Sequence, residues 1–209
     1  ALVPGNAQVA QALLNLLSMS IPLHKSIGSV LGVETLYLKS DISDNLETIS
    51  VEASIDFWLK FGTPITISVS RLGMLLNLNK MQGPNAGGGI FGYDVVPAIK
   101  MPNGAGVRID AGVITGGGFL YIDEPKGDYF GALQLSFKGL FDMKAVGIIN
   151  TIMPDGSKGF SMFVLITAEF TPIQLGFGFT LLGVGGMLGL NRGMDVEPLR
   201  VGLRTGAIQ

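Results

Sequence analysis

The side chains able to do chemistry in this chain are few and scattered. Its only histidine, His24, stands between Pro22 and Lys25, and there is no cysteine. A zinc site or a nucleophile–histidine pair built on His24 would have only carboxylates to recruit. The expected role of His24 is therefore that of a lone surface or packed side chain. Gly159-Phe160-Ser161-Met162-Phe163 has the outline of a nucleophile elbow, yet it falls inside a strand pattern instead of at a sharp turn. Gly183-x-Gly185-Gly186-x-x-Gly189 follows a strand and precedes a helix, as a dinucleotide-binding loop does, but no βαβ unit surrounds it. The triplets beginning at Gly87 and Gly116 lack the Lys-Ser or Lys-Thr of a phosphate loop. Asp123, Glu124 and Asp128 gather in one turn with the acidity of a calcium site, but Pro125-Lys126 interrupts them and the spacing fits no calcium loop. No catalytic, cofactor-binding or metal-binding residue is assigned, no cofactor is expected, and the expected role is non-enzymatic.

The elements that would position any site are written more plainly. From Lys158 to Phe170 the apolar side chains Phe160, Met162, Val164, Ile166, Ala168 and Phe170 take every even position. After Pro172 the apolar set continues at Ile173, Leu175, Phe177, Phe179 and Leu181, with Gln174, Gly176, Gly178 and Thr180 between them. A period of two places each set on one face of a β-strand, a spacing that no helical stripe shares. These residues form the candidate apolar contact face. Gly176, Gly178, Gly183, Gly185 and Gly186 form the candidate close-packing face, approached too closely for a Cβ. On this reading Phe177→Asp disrupts folding or association, and Gly178→Val clashes.

Upstream, Asn6 caps a predicted helix to about Ser18, with Val9, Leu13, Leu16 and Leu17 as its apolar stripe. From Val33 the period is two, and Val51 to Phe61 alternate with Glu52, Ser54, Asp56, Trp58 and Lys60. Beyond Arg71 the alternation slips by one residue, which predicts a β-bulge, placed at Gly73. Residues 81–106, rich in Gly and Pro, read as a long connection holding a short strand near Ile90–Val95. A meander follows: 113–122, 129–138, 141–152, 159–170 and 173–190, joined by turns at Glu124–Gly127, Gly139, Pro154–Gly156 and Thr171-Pro172. Asp195 caps a short terminal helix. The predicted organisation is thus residues 1–80, a connection over 81–106, and a meander with a terminal helix over 107–209. The fold class is mainly β: an antiparallel meander forming a curved sheet, a sandwich or a barrel-like body, with short helices near both termini.

Composition narrows the function classes. Only 14% of residues are charged, against about 25% in an average domain, and Gly contributes 31 positions. A chain with so little charge has little polar surface to offer water, so much of its outside is expected to be covered. The net charge of −2 is spread without runs, which argues against nucleic acid. No charge falls between Glu169 and Arg192, but Pro172 and six glycines within that stretch argue against a transmembrane helix.

The run GGGFLYIDEPKGDYFGALQLSF, the turn MPDGSKGFS, and AEFTPIQLGFGFTLLGVGGMLGLNRGMDVEPLRVGLRTGA resemble the family called domain of unknown function 6603. The resemblance covers Gly112–Gly206 and, more loosely, Val33–Asn79. Its most specific part is Ile173–Asn191 followed by Asp195 and Arg200–Gly206. Members are usually much longer bacterial and fungal proteins, so the resemblance implies a piece of a larger polypeptide and supplies no catalytic residue.

Three functions fit these observations. The first is a structural module whose sheet is completed by the rest of a parent polypeptide or by identical subunits. The second is a lipid or hydrophobic-ligand groove lined by the phenylalanine-rich faces. The third is a membrane-inserting β-barrel or pore component, since the charge-free stretches 145–154 and 159–168 match the length of a spanning strand. An extracellular or cell-surface setting is favoured over the cytoplasm.

Overall fold

In the computed structural model, residues 18–43, 47–83, 88–90, 92–193 and 197–205 are described. They build one antiparallel sheet of eleven strands: β1 (Met19–Ile27), β2 (Leu31–Ile42), β3 (Thr48–Phe61), β4 (Ile65–Lys80), β5 (Tyr93–Lys100), β6 (Gly104–Asp110), β7 (Ile114–Asp123), β8 (Asp128–Phe137), β9 (Phe141–Ile152), β10 (Lys158–Gly176) and β11 (Phe179–Leu190). Their spatial order follows chain order, except that β5 and β6 share one side of the long β4. β5 pairs Gly73–Lys80 and β6 pairs Ile65–Ser70. β1 and β11 end the path and do not meet, so the described sheet is open, neither sandwich nor closed barrel. Glu197–Thr205 is helical (α1). The helix expected after Asn6, and the cap expected at Asp195, lie outside the described residues.

Alternation along each strand divides its side chains between a continuously apolar face and a mixed one. Ile27, Leu31, Leu59, Ile67, Val107, Gly118, Leu133, Ala145, Ile166 and Gly186 pair in register as one row across ten strands, without a polar member. On the opposite face, Lys60, Thr66, Arg108, Gly117, Gln134, Lys144, Thr167 and Gly185 form a row with no large apolar member, but the next row, Trp58, Ser68, Gly106, Phe119, Ala132, Val146, Leu165 and Met187, carries several. No hydrophobic residue among those described is buried, and the fully buried side chain is that of Ser54. A core needs two layers, and the described residues supply one.

Three sequence expectations are corrected. The 81–106 stretch contains β5 and the start of β6, both paired to β4. The bulge in β4 lies at Ser70-Arg71, where Arg71 takes φ +58°. Gly73 pairs regularly with Ser54, and a Cβ there would meet the Ala53 carbonyl. Finally, Thr171-Pro172 is not a reversal. β10 runs through it to Gly176, and the chain turns at Gly176-Phe177-Gly178. Pro172 is tolerated because β9 begins at Phe141, opposite Phe170, so no neighbour on that side requires its N–H.

Candidate functional site

Two features could carry function: a polar crease across the amino-terminal strands and an apolar trough in the middle of the sheet. The crease is built from aligned bulges. β1 gains a residue between Pro22 and Lys25, β2 gains Glu34, and β4 gains a residue opposite Asp56. β5 and β6 are separated at the same level by Met101-Pro102-Asn103, whose Asn103 amide donates to the Ser70 carbonyl at 2.9 Å. An extra residue bends its strand and leaves backbone groups without ladder partners. Side chains satisfy them and link the bulges.

His24 Nδ1 lies 2.8 Å from Glu34 Oε2, while Trp58 Nε1 donates to Glu34 Oε1 at 2.7 Å. The Arg71 amide donates to Asp56 Oδ1 and the Tyr37 hydroxyl to Asp56 Oδ2, both at 2.8 Å. Arg71 Nη2 donates to Glu52 Oε1 at 2.7 Å, its guanidinium sits over the Tyr37 ring, and the Ser54 hydroxyl also donates to Glu52. The hydrogen bonds from His24 and Trp58 hold the Glu34 carboxyl below its usual range. Burial works against ionisation of Glu52, but the Ser54 and Arg71 hydrogen bonds outweigh it and its carboxyl is also held low. Hydrogen bonding to Asp56 raises the Tyr37 phenol, and burial lowers the Lys100 ammonium. Beside Arg71 is a cavity of about 360 Å³ where Lys39 and Lys100 face Glu52 and Glu124. Its charges are balanced, and Lys100 Nζ is already bonded to the Asn103 side chain and the Met101 carbonyl. The cluster ties β2, β3 and β4 together at the level where their registers shift.

The trough lies on the apolar face of β6–β9. Its floor is made of small residues, Ala105, Gly118, Gly131, Ala145 and Gly147, and its walls of Ile67, Leu120, Leu133, Tyr129, Ile149 and Val164. It encloses about 490 Å³ and is lined almost entirely by apolar groups. Small residues in the middle of a sheet lower the floor by about a side-chain length, which leaves an open furrow.

The residues expected to share one apolar contact face are divided. Met162, Val164 and Ile166 pair Leu190, Leu188 and Gly186 on the apolar face, and alternation puts Phe160 with them. Ile173 pairs Leu181, three positions before Val184 along β11, so this pair belongs to the opposite face. The backbone does not switch: Ile173 keeps the odd parity of Glu169, because β10 has two extra residues between them relative to β11, and it is the apolar side chains that move from even to odd positions. Leu175, Phe177 and Phe179 are exposed on the hairpin that runs past the end of β9, with Phe177 fully exposed at φ +52°. Phe177 is a turn residue whose ring none of the described residues covers.

The glycines also separate by cause. Gly176 and Gly178 take φ +89° and +83° and have open space where a Cβ would stand. The turn requires them for their backbone conformation. At Gly183 a Cβ would come within 2.7 Å of the Ala168 carbonyl, and at Gly185 within 3.3 Å of the Ile166 carbonyl. Both approaches come from the adjacent strand of the same sheet. Gly186 is open. The run from Gly183 to Gly189 lies inside β11 and Ser161 inside β10, so neither forms a loop or an elbow. In the acidic turn, Asp123 accepts from Lys126 Nζ at 2.7 Å and Asp128 from Asn150 Nδ2 at 2.7 Å. No group of three or more potential metal ligands occurs among the described residues.

Sequence reasoning missed the crease, although the slip of alternation after Arg71 was its signal. Glu34 produces a second slip, since apolar positions change from Leu31 and Val33 to Leu36 and Leu38. The two slips together would have located the fault line.

The model of the family described as Family of unknown function (DUF6603) matches residues 23–209, and the chain belongs to that family. No curated protein and no solved structure matches it.

Proposed function

We propose that this member of the DUF6603 family is a non-enzymatic structural module whose apolar sheet is completed by neighbouring segments or subunits. The observation that carries the reading is the ten-strand row without a polar side chain, on a sheet with no buried hydrophobic residue. Ten strands about 4.8 Å apart and about 30 Å long present on the order of 1,400 Å². That exceeds the roughly 800 Å² per partner of a standard interface and the few hundred Å² of a typical exposed apolar patch. Cover by another protein layer removes this surface from water, at about 25 cal/mol per Å² of apolar area.

Leu133 stands at the centre of the row and on the wall of the trough. The test compares wild type with Leu133→Asp by analytical ultracentrifugation and circular dichroism. Wild type is expected to sediment as a defined assembly, and Leu133→Asp to dissociate or lose its structure. A folded wild-type monomer carrying no lipid would sink the reading.

A second reading is supported by the trough itself, whose volume is within the range of small-molecule sites and whose lining suits an acyl chain. Native mass spectrometry of the purified chain before and after organic extraction separates the two. Stoichiometric lipid on a monomer favours the carrier, and a lipid-free oligomer favours the module. Insertion as a membrane barrel would require further strands to close the sheet, because a spanning sheet tolerates no open edge. No helix among the described residues is long and apolar enough to cross a membrane.

A further inference from the structure

The two edges of the sheet are chemically unlike. β1 carries three devices that discourage strand pairing: Pro22, which has no N–H; a bulge with His24 at φ +45°; and the charged Lys25. β11 carries none of them. Its twelve residues contain no charge, no proline and no extra residue, since the irregularities of its pairing with β10 all lie on the β10 side. No other strand among the described residues pairs with its outer side. An uncharged edge of this length is a template for another strand.

We infer that β11 is a pairing edge whose occupant is β11 of a second copy of this chain, antiparallel about a two-fold axis normal to the sheet. The inference rests on the module reading and specifies one of its contacts. The axis keeps Leu182, Val184, Leu188 and Leu190 of both copies on one side, so the apolar face continues unbroken across the junction. Head-to-tail pairing of β11 with β1 is opposed by the proline and the bulge, so the sheet joins at one edge only. One open edge and one blocked edge close the edge contact as a two-fold pair instead of a fibre, and leave the continuous apolar face for a second layer. After β11 the described chain passes into α1, which is helical and so does not itself supply the neighbouring strand.

The chain has no cysteine, so single-cysteine variants report the contact directly. Val184→Cys, Gly186→Cys and Leu188→Cys, oxidised alone and in pairwise mixtures, cover the antiparallel registers near the middle of β11. Cross-strand neighbours have Cα separations that a disulfide can bridge. The expected result is a linked dimer from at least one combination and none from Ser26→Cys on β1, with wild type sedimenting as a dimer or an assembly of such dimers. A wild-type monomer would overturn both this inference and the module reading. A dimer that resists linkage at β11 would overturn the edge pairing alone and leave assembly through the apolar face. Linkage between Ser26→Cys and a β11 cysteine would establish head-to-tail pairing and likewise overturn the two-fold contact.

Discussion

The backbone amide of Arg71 donates to Asp56 Oδ1 at 2.8 Å, from a left-handed conformation with φ +58°. The bulge in β4 turns this amide out of the ladder, and a side chain of β3 receives it. Asp56 also accepts from Tyr37 on β2, so one carboxylate ties three strands at the level where their registers shift. A bulge without such a tie leaves donors unpaired and lets the register slide.

Asp56→Ala removes the acceptor of both bonds and leaves a half-buried amide unsatisfied. The expected loss of stability is about 1–3 kcal/mol, read from denaturant unfolding. Tyr37→Phe deletes one bond and should cost about 0.5–1.5 kcal/mol. Equal effects from the two variants would mean that the Arg71 amide does not depend on Asp56.

Arg71 is a bulky residue in a conformation that favours glycine. Arg71→Ala loses the Glu52 ion pair and keeps the backbone strain, whereas Arg71→Gly loses the pair and relieves the strain. Glycine should therefore be the milder substitution by about 1 kcal/mol. Thermal unfolding of the two proteins decides the matter, and a milder alanine would argue against the left-handed bulge.

The Glu52 carboxyl is held below its ordinary value of 4.5. A group with a lowered folded-state pKa stabilises the fold fully above its ordinary value, and that contribution disappears as pH falls through the lowered one. The crease should therefore loosen only below about pH 4.5. Hydrogen exchange of the β3 and β4 amides across pH 3–6 should show this in wild type and a flatter profile in Glu52→Gln. Identical profiles would mean that Glu52 does not hold the crease.

Gly178 and Gly186 look alike in sequence and differ in structure. Gly178→Ala should destabilise by about 1–2 kcal/mol because alanine resists a positive φ, although nothing lies near its Cβ. Gly186→Ala meets open space and should be neutral or slightly stabilising in the isolated chain. At Phe177, exchange for Asn should stabilise the turn, since Asn tolerates the left-handed region better. If Phe177→Asn instead weakens association, the exposed ring is a contact with a partner. Melting temperatures and sedimentation measure both effects.

What the sequence determined by itself was the β character, the period-two apolar parity and most of the hairpin turns. These are local properties: a pleated backbone sends alternate side chains to opposite faces, and Gly or Pro-Asp-Gly permits a tight reversal wherever it occurs. The slip after Arg71 was visible for the same reason, but its meaning was not. That the bulges of β1, β2 and β4 line up, and that Asp56 collects bonds from two neighbouring strands, depends on register between segments far apart in the chain. The tertiary structure alone decided that β10 passes through Pro172 and turns at Gly176, because only the end of β9 frees that stretch from its neighbour. With β10 continuous, alternation then puts Ile166 and Ile173 on opposite faces, and the structure further decided that one layer leaves the whole apolar face open. Parity along a strand is fixed by covalent geometry, whereas pairing, register and cover are fixed by what lies beside the strand.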